Sequence, residues 1–238
     1  MHDIRFMSYN VHGFVDMHDQ YSPEKTLAVL SDINADVIAL QEVLTDDRDG
    51  LTLLKQFANN HSYKLIFGPT ILHQHGHHYG NAMLTKGKIK STHLHDISVP
   101  GREPRSVLHI NVFMHQEYWH ILTTHLGLKN KERRYQIKRL QNIINTFEQS
   151  PIVLMGDINE WFPWTRNMRK LKRLFQQKNS PATFPSKWPL FSLDKIFILP
   201  AFRMDKLYTS RSNHARIASD HLPLIADIAL PTYKAVCF

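Results

Sequence analysis

The sequence predicts an α/β protein made of two mixed β-sheets packed face to face beneath outer helices. Strand and helix patterns interleave early in the chain, while its middle and end are richer in hairpins. In addition, short apolar runs repeatedly end on an acid, amide or imidazole. The clearest run is Ile152-Val153-Leu154-Met155, between Pro151 and Gly156, which reads as a short strand buried on both faces. It delivers Asp157 and Asn159 to the rim of the core. A carboxylate there costs several kcal/mol unless a cation or a hydrogen-bond network compensates it.

Taken in order, residues 4–11 form a first strand carrying Asn10 to its end, and Gly13 breaks it. Ser22 and Pro23 supply a cap and a first-turn proline for a helix with Leu27, Leu30 and Ile33 inward. Residues 37–40 make a second buried strand, with Gln41 and Glu42 directly after it, and residues 51–60 an amphipathic helix. Strands are expected at 64–67, 82–84 and 91–99, and a hairpin at 107–113 and 119–124 that ends on His125. A basic helix over 131–149 turns Leu140, Ile143, Ile144 and Phe147 inward, and a second follows around 166–177. Residues 193–198 and 202–209 read as strands, and Ser219-Asp220-His221 opens a last strand over 222–228.

At 238 residues and 42% hydrophobic content, the chain can build one large domain. Its start has the character of neither a signal peptide nor a membrane span, and the single cysteine, Cys237, excludes an internal disulfide framework or a multi-cysteine zinc site. A cytoplasmic monomer is the expectation. The net charge of +8 favours an anionic partner: a nucleic acid, a phospholipid surface or a phosphorylated small molecule. The string His73-Gln74-His75-Gly76-His77-His78 lacks the spacing of a zinc site and reads as a loop bordering an anionic substrate. Trp161, Phe162 and Trp164 read first as core packing, and otherwise as a peripheral membrane contact beside the second basic helix.

The polar residues at strand ends are Asn10, Glu42, Asn81, His125, Asp157, Asn159, Asp194, Asp220 and His221. If the sheets gather the four acids at one edge, carboxylates about 4 Å apart repel by ~4 kcal/mol at an effective dielectric of about 20. A divalent cation would hold them charged, and oxygen ligands without cysteine favour Mg²⁺ or Mn²⁺. Asp220 beside His221 suits a histidine oriented to take a proton from water, with His125 as donor to the leaving oxygen. Arg102 and Arg105 can offer guanidinium groups to phosphate, or can lie on a solvated turn.

The strings Ser8-Tyr9-Asn10-Val11, Leu40-Gln41-Glu42-Val43, Gly80-Asn81-Ala82-Met83-Leu84, Thr124-His125-Leu126, Gly156-Asp157-Ile158-Asn159, Leu193-Asp194-Lys195-Ile196 and Ser219-Asp220-His221-Leu222-Pro223-Leu224 resemble, in order, the motifs of the endonuclease/exonuclease/phosphatase (DNase I-like) superfamily. His125-Leu126-Gly127-Leu128, Asp157-Ile158-Asn159-Glu160-Trp161 and Thr183-Phe184-Pro185 are similar to strings of its bacterial YbhP-like branch.

The resemblance implies a four-layer α/β/β/α sandwich, one catalytic domain over residues 1–238, and metal-dependent cleavage of a phosphate ester. It casts Glu42 as principal Mg²⁺ ligand with Asn10 beside it, Asp194 as a further metal-site or phosphate-site acid, and Asp157 with Asn159 as the pair orienting water. It makes Asp220 the partner of His221 and His125 the general acid, while Asn81, Arg102 and Arg105 remain candidates for phosphate. The substrate reading is a phospholipid or other phosphorylated compound, with DNase I-like action on nucleic acid as the alternative. A non-catalytic binding module would show a gap among these residues, and the sequence has none.

Overall fold

The computed structural model describes residues 4–45, 49–72, 78–147, 150–176 and 180–230. In chain order the elements are β1 (Ile4–Asn10), α1 (Pro23–Ile33), β2 (Val37–Thr45), α2 (Gly50–Asn60), β3 (Lys64–Leu72), β4 (His78–Thr85), β5 (Lys88–Asp96), β6 (Ser106–Met114), β7 (Glu117–His125), α3 (Asn130–Ile144), β8 (Ile152–Asp157), α4 (Arg166–Phe175), β9 (Asp194–Leu199), β10 (Met204–Thr209), α5 (Asn213–Ile217) and β11 (Leu224–Ile228).

They form a six-stranded sheet, β10-β11-β1-β2-β4-β3, and a five-stranded sheet, β5-β6-β7-β8-β9. Both are mixed: β1 runs parallel to β2 and β7 parallel to β8, with antiparallel neighbours on either side.

Alternation along the strands explains the layers. Phe6, Val37, Ala39, Leu108, Ile121, Val153, Met155 and Ile196 fill the space between the sheets. The alternate residues Met7, Tyr9, Ile38 and Leu40 pack outward with Val29, Leu30 and Leu54 of α1 and α2. On the opposite side, Leu122, Ile152 and Leu154 meet Ile137 and Leu140 of α3 and Met168 and Leu171 of α4. The central strands are therefore apolar on both faces, which is why Ile152–Met155 shows no polar alternation.

The same topology gathers the polar strand ends. Asn10, at the carboxyl end of β1, pairs with Gln41 of β2, and His125 pairs with Asp157 at the carboxyl ends of β7 and β8. Asp194 begins the antiparallel β9 directly opposite Asp157, and residues 219–221 precede β11 at the same edge. The sheets thus place their polar residues on one rim.

Three details differ from the expected elements. β2 continues past Leu40 to Thr45, with a shift of register against β4 between Leu40 and Val43 and Glu42 in the left-handed region at φ 59°. This bulge aims Glu42 off the pleat. α3 stops at Ile144, because Phe147 turns back to stack on the His120 ring at 4.1 Å; residues 148–149 lie outside the described residues. Residues 213–217, between the strands expected at 202–209 and 222–228, form the short helix α5, capped by Ser212 Oγ accepting from Ala215 N. Of the histidine-rich string 73–78, residues 73–77 lie outside the described residues.

Candidate active site

The cleft at this rim has a volume of about 290 Å³ and is walled by Glu42, Tyr79, Arg105, His125, Asp157, Asn159 and His221, among others. Its centre is a carboxylate pair bridged by an amide. Asn10 Nδ2 donates to Glu42 Oε1 at 2.8 Å and lies 3.3 Å from Asp157 Oδ2. Asn10 is itself fixed, its Oδ1 accepting from His12 N and its carbonyl from Ser219 Oγ. Tyr79, which was not anticipated, hydrogen-bonds Glu42 through its hydroxyl. Burial, reinforced by the Glu42 charge, raises the phenol's pKa. Its only sequence signal was its place two residues before Asn81.

Asp157 and Asn159 form a compact unit at the end of β8. Gly156 precedes them at φ 141°, where a Cβ would lie 1.9 Å from Thr124 O. Asn159 has left-handed backbone (φ 54°), which lets its N–H donate to Asp157 Oδ1 at 2.9 Å. Its Nδ2 donates to Leu126 O at 2.8 Å and lies 3.0 Å from His125 Nε2. Since Nδ2 can only donate, Nε2 of His125 accepts, and the ring's proton sits on Nδ1, which faces Glu42 Oε1 at 3.8 Å. Burial pushes His125 down to about 4; the Asp157 charge opposes this, and Arg105 and His221 reinforce it. His125 is neutral at neutral pH.

His221 is the opposite case. Its Nδ1 lies 2.7 Å from Asp194 Oδ2 and its Nε2 3.8 Å from Asp157 Oδ2. Burial alone would lower its pKa, but the charge and hydrogen bond of Asp194, with Asp157 and Asp220 behind them, raise it to about 10. The imidazolium is thus the form present at neutral pH.

The expected pairing of Asp220 with this ring is corrected. Asp220 Oδ1 instead lies 3.3 Å from Ser219 Oγ and 3.8 Å from His12 Nδ1. The reason is the β8–β9 register, which sets Asp194 opposite Asp157 and hence beneath His221. Asp194 does not pair with its neighbour Lys195, whose Nζ bonds Ser192 Oγ and carbonyl oxygen. Burial lowers Lys195 to about 8 against the charges of Asp194 and Asp157.

Of the phosphate candidates, Arg105 is buried at the cleft wall, with Nη2 3.2 Å from Glu103 Oε2 and Nε without a hydrogen-bond partner among the described residues. Asn81 is also buried beside Glu42 and Arg105, its Oδ1 without a partner among the described residues. Arg102 is not brought to the cleft. The turn closed by its N–H to Val99 O, with Gly101 at φ 72°, projects it into solvent.

Two groupings of acids could hold a cation. Asp157, Asp194 and His221 have ligand atoms within 4.8 Å of one another, but the His221 proton already joins that trio at 2.7 Å. Glu42 and Asp157, linked by Asn10, offer oxygen ligands on the open side of the cleft, the donor set that Mg²⁺ or Mn²⁺ prefers.

A cleft of carboxylates, amides and imidazoles at the rim of two packed mixed sheets has the groups that metal-assisted hydrolysis of a phosphate ester calls for. The chain is a member of the endonuclease/exonuclease/phosphatase family, whose model matches residues 7–224. It is 26% identical to the "Uncharacterized protein YbhP" of Escherichia coli K12 over 95% of this chain and 96% of that one. A solved endonuclease/exonuclease/phosphatase from Beutenbergia cavernae superposes with a TM-score of 0.77 at 21% identity, covering 97% of this chain and 72% of that chain. The Bacteroides thetaiotaomicron mannosyl-6-phosphatase Bt3783 does so with a TM-score of 0.73 at 14% identity, over 96% of this chain and 100% of that chain. At these identities the solved structures share the fold.

Proposed function

We propose that the protein is a Mg²⁺- or Mn²⁺-dependent phosphodiesterase acting on a phospholipid or other phosphorylated substrate. The observation that carries this reading is one carboxylate shared by two imidazoles beside Glu42: Asp157 Oδ2 lies 3.6 Å from His125 Nε2 and 3.8 Å from His221 Nε2. Glu42, with Asn10 and the Asp157 carboxylate beside it, would hold a divalent ion, which when bound would supply Lewis-acid polarisation of the phosphoryl oxygen.

The chain's own residues then divide the proton work differently from the sequence expectation. Asp157, its Oδ1 fixed by the Asn159 N–H, orients water and accepts its proton on Oδ2. His221, charged and backed by Asp194, donates from Nε2 to the leaving oxygen. His125 holds Asn159 in place and has no Nε2 proton to give. Arg105 and Asn81 donate to the non-bridging oxygens.

Hydrolysis of bis(p-nitrophenyl) phosphate with Mg²⁺, Mn²⁺ or EDTA tests the reading. Turnover is expected with either ion, lost in EDTA and lost in Glu42→Ala; EDTA-resistant turnover overturns it. The nuclease alternative draws on the +8 charge and is checked with plasmid DNA, whose binding would weaken steeply as salt rises.

A further inference from the structure

One rim of the cleft carries a set of apolar side chains that the proposed chemistry does not use. Trp161, Phe162 and Trp164, which the sequence offers to core packing or else to a membrane contact, are all exposed, Trp164 by 69%. Leu190, exposed by 74%, lines a second cavity of about 290 Å³ together with Trp161, and Trp188, two residues earlier on the same loop, is exposed by 72%. Leu128, also exposed, reaches the same edge of the catalytic cleft. Trp161 walls both hollows, so the rim is continuous with the site.

These residues stand on fixed backbone. The loop bearing Trp188 and Leu190 is tied by Thr183 and Phe184 N–H groups to Phe191 O, by Leu190 N to Phe184 O, and by Ser186 N to Asp220 O. Trp161 is wedged edge-on between Phe184 and Phe191 at 5.9 and 4.8 Å. Directly after Trp164, capped by Thr165, comes α4, whose Arg166, Arg169, Lys170 and Arg173 are exposed and make no ion pair among the described residues. The helix contains no acid.

We propose that this rim and the exposed face of α4 form a docking surface for an anionic phospholipid bilayer. Tryptophans with an aliphatic tip enter the interfacial layer, and the adjoining cations meet lipid phosphates. Base stacking on a single-stranded nucleic acid would use similar residues, but it needs free ring faces. Here Phe162 and Trp164 each spend one face on the other, at 5.1 Å and 23°, and Trp161 is hemmed in by two phenyl rings. Leu128 and Leu190 have no role in stacking. The further consequence, that a lipid phosphate is what the bilayer presents to the cleft, rests on the phosphodiesterase reading; the docking does not.

Co-sedimentation of the full chain with vesicles of phosphatidylcholine, with and without phosphatidylglycerol, tests the docking. Wild type is expected to bind the anionic vesicles selectively, with a blue shift of tryptophan emission. Trp164→Ser/Trp188→Ser and Arg169→Glu/Lys170→Glu should each weaken binding about tenfold or more. Both variants should turn over bis(p-nitrophenyl) phosphate at the wild-type rate, which also reports that they fold. Failure of wild type to bind anionic vesicles, or unchanged binding by both variants, overturns the proposal. So does a wild type that binds oligothymidylate through these residues and no vesicles. Vesicle binding by a protein that hydrolyses no phosphodiester would leave the docking standing and remove the proposed function.

Discussion

The chemistry rests on which histidine holds a proton. His221 and His125 flank the same Asp157 oxygen, but Asp194 sits beneath one and the Asn159 amide against the other. Replacing His221 by Gln is therefore expected to lower kcat by roughly 10²-fold or more, the usual worth of a positioned general acid. His125→Gln, which keeps an acceptor for Asn159, should cost about tenfold or less. Steady-state turnover of bis(p-nitrophenyl) phosphate by the two variants decides the matter, and equal losses would return His125 to the role of acid.

A second residue-scale effect lies away from the cleft. His109 packs against His93, His95, His120 and Phe147, with Nε2 2.9 Å from His120 Nδ1. Burial, with the neighbouring histidines, pushes its pKa down to about 3. The folded value lies below the unfolded one of about 6.5, so the stabilisation is complete above that pH and is lost as pH falls toward 3. Urea unfolding at pH 7 and pH 5 should show His109 responsible for roughly 1–2 kcal/mol of the decline. The decline should shrink by that amount in His109→Phe, and an identical pH dependence in the variant would refute the assignment.

At the scale of elements, the site is made by strand ends that leave the pleat. Glu42 escapes through the β2 bulge, and Asp157 through Gly156, whose Cα faces Thr124 O. Gly156→Ala combines an unfavourable φ with a backbone clash, so a loss of roughly 3 kcal/mol or more in chemical denaturation is expected. A loss below 1 kcal/mol, about the cost of an ordinary surface change, would mean that the β7–β8 pair can spread.

Much of this scale was legible beforehand. Apolar runs closed by Asn10, Glu42, His125 and Asp157 announced both the strands and the rim, because a buried strand must change character where it meets water. The partner of His221 was not legible. Asp220 is its chain neighbour, whereas Asp194 reaches it only through antiparallel register between β8 and β9. Nor was the histidine stack, which three strands and Phe147 assemble from residues with no shared period.

For the whole molecule, two mixed sheets bring amide, acid and imidazole groups from distant parts of the chain to one edge, between helices that seal the outer faces. The exposure of Trp161, Phe162 and Trp164 follows from this layout. The inter-sheet space is filled by aliphatic residues and by Phe6 and Trp119, which leaves the loop after β8 on the surface. Aromatic content alone could not reveal that.

The central claim is that Glu42 and Asp157 form a divalent-metal phosphodiesterase centre with His221 as proton donor. Its most direct test is turnover of bis(p-nitrophenyl) phosphate by purified wild type, stripped of metal and titrated with Mg²⁺, beside Glu42→Ala. The account predicts saturable activation by Mg²⁺ in wild type and turnover reduced by roughly 10²-fold or more in the variant. Activity that is indifferent to Mg²⁺, or equal in the two proteins, would contradict it.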